Sequence, residues 1–297
     1  MRSLIKKIKH FIRIAMLCAH TRILNLIYKA PKVVDDLTTL EILKNERKSI
    51  SRLGDGEIAL IKQQSIKFQK NNVELGKRMQ EVLEQPKEGL LVGIPDIYTL
   101  KSIRKLTFES KLFWLHQLID HKDLWYSIPK GVHYYDACIT RPYIRNKDKK
   151  HSEQLFEGLK GIWYQRDVVI VEGVYSRLGV GNDLFRDVKT LRRIICPPKD
   201  AYDKYDEILN ASMEIEKDCL FLLSLGPTAT VLAYDLHEAG YQTIDLGHID
   251  LEYEWYLRGT TERVPLDNKS VNELEVQGDL ESNLDEEYEK QIINKIV

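Results

Sequence analysis

Apolar and polar positions along the 297-residue chain follow two regimes that change over near residue 35. The first thirty residues place apolar side chains at Leu4, Ile5, Ile8, Phe11, Ile12, Ala15, Met16 and Ala19, then at Ile23, Leu26 and Ile27. Spacings of three and four predict an amphipathic helix. Beyond it, short β-rich runs end at Gly, Pro or polar residues and alternate with charged stretches of helical period. The runs cover residues 49–53, 90–94, 137–139, 168–171, 191–195, 220–225 and 243–246, and helical candidates cover 73–83, 110–118, 152–159, 205–216 and 229–238. Strands apolar nearly throughout, with helices between them, predict an α/β fold: a Rossmann-like, mostly parallel sheet with helices on both faces. Ligands of such folds sit at the carboxyl ends of the strands, so the residues just after each run are where chemistry belongs.

Charge divides the chain further. The totals, 44 Lys+Arg against 45 Asp+Glu, are balanced, but residues 1–34 hold eight Lys/Arg and no acid, leaving 36 basic against 45 acidic groups elsewhere. Arg13 and Arg22 interrupt the head, so no apolar run is long enough to span a bilayer, and no small-residue cleavage site follows it. Two readings stay open for this basic helix: it lies on an anionic inner membrane surface, or it packs on its own domain or on a partner protein. After Pro265 nine acids between Asp267 and Glu289 precede an apolar IINKIV ending. The expected organisation is a basic head (1–34), an α/β domain (35–264) and an acidic helical tail packed on or beside it (265–297). Four widely separated cysteines without CxxC spacing argue against a disulfide scaffold or structural zinc and for a cytoplasmic protein. An acidic body argues against nucleic-acid binding.

Four clusters follow the runs. Arg52-Leu-Gly-Asp-Gly-Glu57 puts Gly54 and Gly56 around an acid, and Asp55 with Glu57 could reach one hard cation, Mn²⁺ or Mg²⁺, while Arg52 could meet a phosphate. The same spacing also fits a plain Gly-Asp-Gly turn. A second cluster, residues 172–184, carries Arg177, Asn182 and Asp183. Its Gly179-Val-Gly181 lacks the third glycine of a dinucleotide fingerprint, and its polar residues suit phosphate, sugar hydroxyls or simple solvent exposure. The third, Leu225-Gly226-Pro227-Thr228, is a glycine turn opening a helix: an anion site, or a well-capped helix with nothing bound. The fourth, Gly247-His248-Ile-Asp250-Leu-Glu252-Tyr-Glu254-Trp255, gathers an imidazole and acids, one of which could act as a general base, or else caps a surface helix.

These four segments, in this order, resemble the bacterial GT-D fold glycosyltransferases, a family long catalogued as a domain of unknown function, over about residues 35–290. The resemblance implies a UDP-sugar donor, UDP-glucose in the best-known member, and a growing glycan of a surface protein or polysaccharide as acceptor. It implies a divalent cation held through Asp55 and Glu57. His248 and the acids after it match the family's second acidic motif, with Glu254 the first choice of base and Asp250 the next. The expected donor-binding set is Arg52, Gly54, Arg177, Asn182, Asp183, Gly226, Thr228 and His248. The expected location is the cytoplasm, peripheral on the inner face of the membrane. A non-catalytic nucleotide-binding subunit of a membrane-associated glycosyltransferase complex is the alternative, with a methyltransferase a weaker one.

Overall fold

A computed structural model describes residues 2–266, 269 and 286–297, with side chains from residue 11 onward. Nine strands are described: β1 (Lys32–Val34), β2 (Ser49–Arg52), β3 (Leu90–Ile94), β4 (His133–Asp136), β5 (Asp167–Gly173), β6 (Thr190–Cys196), β7 (Leu220–Ser224), β8 (Gln242–Asp245) and β9 (Ile292–Lys295). They form one sheet in the order β1-β4-β3-β2-β8-β7-β5-β6-β9, and every described pairing is parallel.

The apolar runs are continuous because both faces of the sheet are covered. Val169 and Val171 of β5, with Phe221 and Leu223 of β7, enter one apolar cluster under the helices Val73–Glu84 and Thr228–Glu238. Their neighbours Val168, Ile170, Leu220 and Leu222 point the other way, into a cluster under Asp36–Asn45, Lys149–Trp163 and Ile249–Leu257. Side chains alternate across a strand, so a strand with helices on both sides has no polar face to show. From β2 the chain runs outward through β3 and β4. It then crosses to β5 and β6 and returns through β7 and β8 to lie against β2. Connections therefore diverge on either side of the β2–β8 pair, and a crevice opens above their carboxyl ends.

Three segments depart from the sequence reading. Residues 137–139, expected as a strand, lie in the 3₁₀ turn Ala137–Thr140; the strand is the preceding His133–Asp136, and the Asp136 carboxylate starts the turn by accepting from Cys138 N at 2.9 Å. β1 carried no sequence signal. The apolar ending, read as part of a helical tail, is instead the edge strand β9 beside β6, preceded by the short helix Glu286–Gln291. Most of the acidic segment, including Asp267, Glu273, Glu275, Asp279, Glu281 and Asp285, lies outside the described residues.

Candidate active site

Two cavities adjoin above the carboxyl ends of the central strands and share Phe68, Gly226, Gly247 and His248 as a common wall. The narrower, about 90 Å³, lies over β5 to β8 and is lined by Gly173, Tyr175, Ser176, Leu178, Pro197, Pro198, Lys199, Ser224 and Asp250 among others. The wider, about 470 Å³, lies over β2, β8 and β3; Arg52, Asp55, Glu57, Lys67, Trp114, Arg141, Asp245 and Arg263 line it.

At the end of β2, Arg52 is committed to protein acceptors. Its Nε donates to Asp245 O at 2.6 Å, Nη1 to Ala137 O at 3.0 Å and Nη2 to Asp245 Oδ1 at 2.8 Å. Contrary to the expected phosphate contact, the guanidinium pins three strand ends together under the wide cavity. Burial raises the Asp245 carboxyl above the usual range, and the Arg52 charge opposes that rise. Gly54 starts the helix Asp55–Ile61, whose first turn carries both motif acids. Asp55 is exposed on the cavity wall, whereas Glu57 folds back to accept from Gly54 N at 2.7 Å. Burial, with the negative charges of Asp245 and Asp55 nearby, pushes the Glu57 carboxyl up to about 7 even though the Gly54 N–H favours its charged form. A positive charge arriving between Asp55 and Glu57 would relieve that crowding. No group of three or more His, Cys, Asp or Glu side chains converges on a metal position among the described residues. The donor set therefore fits a hard cation shared with a ligand's oxygens better than a cation held by protein alone.

Between the cavities, Gly226 (φ +53°) turns the chain into the helix Thr228–Glu238. The Thr228 hydroxyl is fully buried at this helix start, and its Oγ1 has no hydrogen-bond partner among the described residues. His248 stacks edge-on to Phe68, with ring centroids 5.5 Å apart, and its Nδ1 lies 3.1 Å from Arg141 Nη2. A guanidinium only donates, so in this contact Nδ1 is the acceptor.

The remaining expected residues lie behind the narrow cavity. Asp250 Oδ1 accepts from Gly179 N at 2.9 Å and Asn182 Nδ2 at 2.8 Å, and Oδ2 pairs with Lys269 Nζ at 2.6 Å. Glu254 Oε1 accepts from the same Asn182 amide at 2.8 Å and lies 3.2 Å from Lys269 Nζ. Glu254 lines neither cavity, and Asp250 borders only the narrow one with its carboxylate already held. A general base must come within hydrogen-bond reach of the hydroxyl it deprotonates, so this geometry speaks against the base role expected of either acid. Asp183 accepts from Tyr253 Oη at 2.7 Å and Lys160 Nζ at 3.2 Å, and Arg177 lies over the Tyr288 ring, 5.2 Å from its centroid. Arg177, Asn182 and Asp183 thus organise the loop after β5 without lining either cavity. Sequence reasoning missed Phe68, Trp114, Arg141, Arg263 and Lys269. Arg141 stood two residues past a run assigned to the wrong element; the others carry no local signal.

A doubly wound parallel sheet, with acids, cations and glycine turns at its carboxyl end, defines a nucleotide-type α/β fold whose ligand would be anionic. A family profile described as glycosyltransferase GT-D fold matches residues 50–274, and the chain belongs to that family. It is 38% identical over 256 residues to a probable glycosyl transferase Gly of Streptococcus gordonii, covering 86% of this chain and 37% of that protein. To the glycosyltransferase GlyD of Streptococcus pneumoniae it is 38% identical over 263 residues, covering 87% and 32%. The chain thus spans about a third of the length of these curated relatives. A solved structure described as the highly conserved domain of unknown function 1792 with a distinct glycosyltransferase fold superposes with a TM-score of 0.88 at 39% identity, covering 95% of this chain and 100% of the other. A structure described as a new glycosyltransferase from Streptococcus sanguinis gives 0.85 at 37% identity, covering 90% and 100%.

Proposed function

We propose that this chain is a glycosyltransferase that moves a hexose, glucose first among candidates, from a UDP-sugar onto a growing bacterial surface glycan, with Mn²⁺ or Mg²⁺ at Asp55 and Glu57. The observation that carries the reading is the pair of adjoining cavities. The narrow one, walled by Tyr175, Leu178 and the Pro197-Pro198 turn, suits a flat nucleobase. The wide one, holding three acids and four cations, suits a diphosphate, a sugar and an incoming hydroxyl.

In this arrangement the diphosphate crosses the shared wall. Gly226 and Pro227 bring backbone close to it at the start of the helix Thr228–Glu238, the positive end of that helix's dipole, while the Thr228 side chain is buried behind them and lines neither cavity. A bound cation supplies neutralisation of the charge that grows on the leaving diphosphate. His248 and Arg263 line the wide side, the Arg263 guanidinium adding donors there, and Arg52 holds Asp245 and the strand ends in register beneath them. Asp250 and Glu254 act as positioning residues that fix the loop walling the base pocket.

The test is UDP release from UDP-sugars in the presence of acceptor glycan. Asp55→Asn and Glu57→Gln should each lower the rate on the order of 100-fold or more, and chelation should do the same. Wild-type rates in both variants would overturn the cation assignment. UDP binding without turnover of any UDP-sugar would overturn the enzyme reading.

A further inference from the structure

The helix Arg2–Ile27 has two apolar faces, and the body of the protein covers only one. Thr21 and Leu24 are buried, with Ile14, Leu17, Cys18 and Asn25 half-buried, where the helix packs on Phe108–Asp120. Asn25 Nδ2 donates to Tyr98 O at 2.7 Å, and Tyr126 Oη donates to Asn25 Oδ1 at 2.6 Å, which fixes the helix's rotation about its axis. The opposite side presents Phe11, Ile12, Met16, Ile23, Leu26 and Ile27 to solvent, with Phe11 73% and Leu26 87% exposed. At 3.6 residues per turn these six form one continuous stripe roughly 160° wide. Exposed Arg13 lies just beyond the Ile27 edge of the stripe, and exposed Arg22 falls near the other edge, between Phe11 and Leu26. Isolated exposed apolar residues are ordinary, but a contiguous stripe calls for an occupant.

We propose that this stripe is a monotopic membrane-docking surface that seats the protein on an anionic lipid bilayer. Charge complementarity selects this occupant: residues 1–34 carry eight Lys/Arg and no Asp or Glu, whereas the rest of the chain is acidic. A basic helix with an apolar stripe lies in the interface plane, its apolar side chains among the acyl chains and its arginines reaching up to lipid phosphates. No helix of the described residues is long and apolar enough to cross a membrane, so the helix would lie along the bilayer rather than through it. The supporting helix Phe108–Asp120 also contributes Trp114 to the wide cavity, so a single helix separates the docking surface from the site.

Flotation of the full chain with vesicles tests this, using phosphatidylcholine alone and phosphatidylcholine mixed with phosphatidylglycerol. Binding should require the anionic lipid and fall as salt rises. Ile12→Glu combined with Ile23→Glu should abolish it, and Arg13→Gln and Arg22→Gln should each weaken it about fivefold. All four positions are exposed, so melting temperature and transfer to a soluble acceptor should be unchanged in these variants. Because flotation needs no activity, its failure is distinguishable from failure of the glycosyltransferase reading. The proposal is overturned by absence of binding, by binding indifferent to the substitutions, or by a dimer in solution that the same Ile→Glu pair dissociates.

Discussion

Gly247 sits at φ +51°, and a Cβ built on it would fall 2.4 Å from Arg52 Nη2. Both the backbone conformation and the close approach require glycine there. Gly247→Ala should therefore displace the guanidinium that ties Asp245 to Ala137, costing about 1 kcal/mol or more of stability. Transfer should fall roughly 100-fold as the cavity floor shifts. Unchanged kinetics in a folded variant would show that the clamp does not matter. Glu57 makes the second prediction at this scale. Its carboxyl titrates at about 7 in the folded chain against an ordinary value of 4.5, so between those values the native state keeps a proton that the unfolded chain has released. Its contribution to stability is complete below pH 4.5 and is lost as pH rises through about 7. Without added metal, the melting temperature should fall with rising pH across this window, and Glu57→Gln should remove that part of the slope. Mn²⁺ should stabilise the wild type more above pH 7 than below it. Parallel melting curves for wild type and variant would refute the assignment.

The loop after β5 and the helix Ile249–Leu257 hold each other through charges that neither displays to a ligand. Lys269, only 3% exposed, bridges Asp250 and Glu254, and Asn182 ties the same two acids to the loop. Beside them, Arg193 pairs with fully buried Glu172, whose other oxygen accepts from Leu178 N at 2.8 Å. Arg193 Nε also reaches Gln291 Oε1 at 2.7 Å in the C-terminal helix. Removing one partner of a buried ion pair leaves an uncompensated charge, at a cost of about 3–5 kcal/mol. Lys269→Met should lower stability by that order in a denaturant titration. Adding Asp250→Asn should restore part of the loss, because the second change removes the charge that the first exposed. Strictly additive losses would show that the two groups do not interact. The sequence placed Asp250 and Glu254 in one motif, Asn182 in another and Lys269 beyond the expected boundary at residue 264, so nothing along the chain announced that these four would meet.

At the scale of the whole molecule, the sheet was legible because burial on both faces writes its signature into consecutive residues. Six of the seven expected runs, those for β2, β3 and β5 to β8, fall on observed strands. The run at 137–139 failed because a short apolar segment looks alike as a strand or as a buried turn. β1 and β9 escaped notice because edge strands of three and four residues, buried on fewer sides, need little apolar content. The Asp-x-Glu turn and the glycine turn before Thr228 were also readable, since backbone geometry and residue type are local properties. The sequence by itself thus determined the α/β class, the strand ends where a ligand would sit, the basic amphipathic head and the family resemblance. Only the tertiary structure decided that Arg52 is spent on Asp245, that Asp250 and Glu254 share Asn182 and Lys269, and which side of the first helix is left uncovered. Those outcomes depend on which distant side chains arrive within hydrogen-bond distance, and a spacing along the chain carries no information about partners 68 or more residues away.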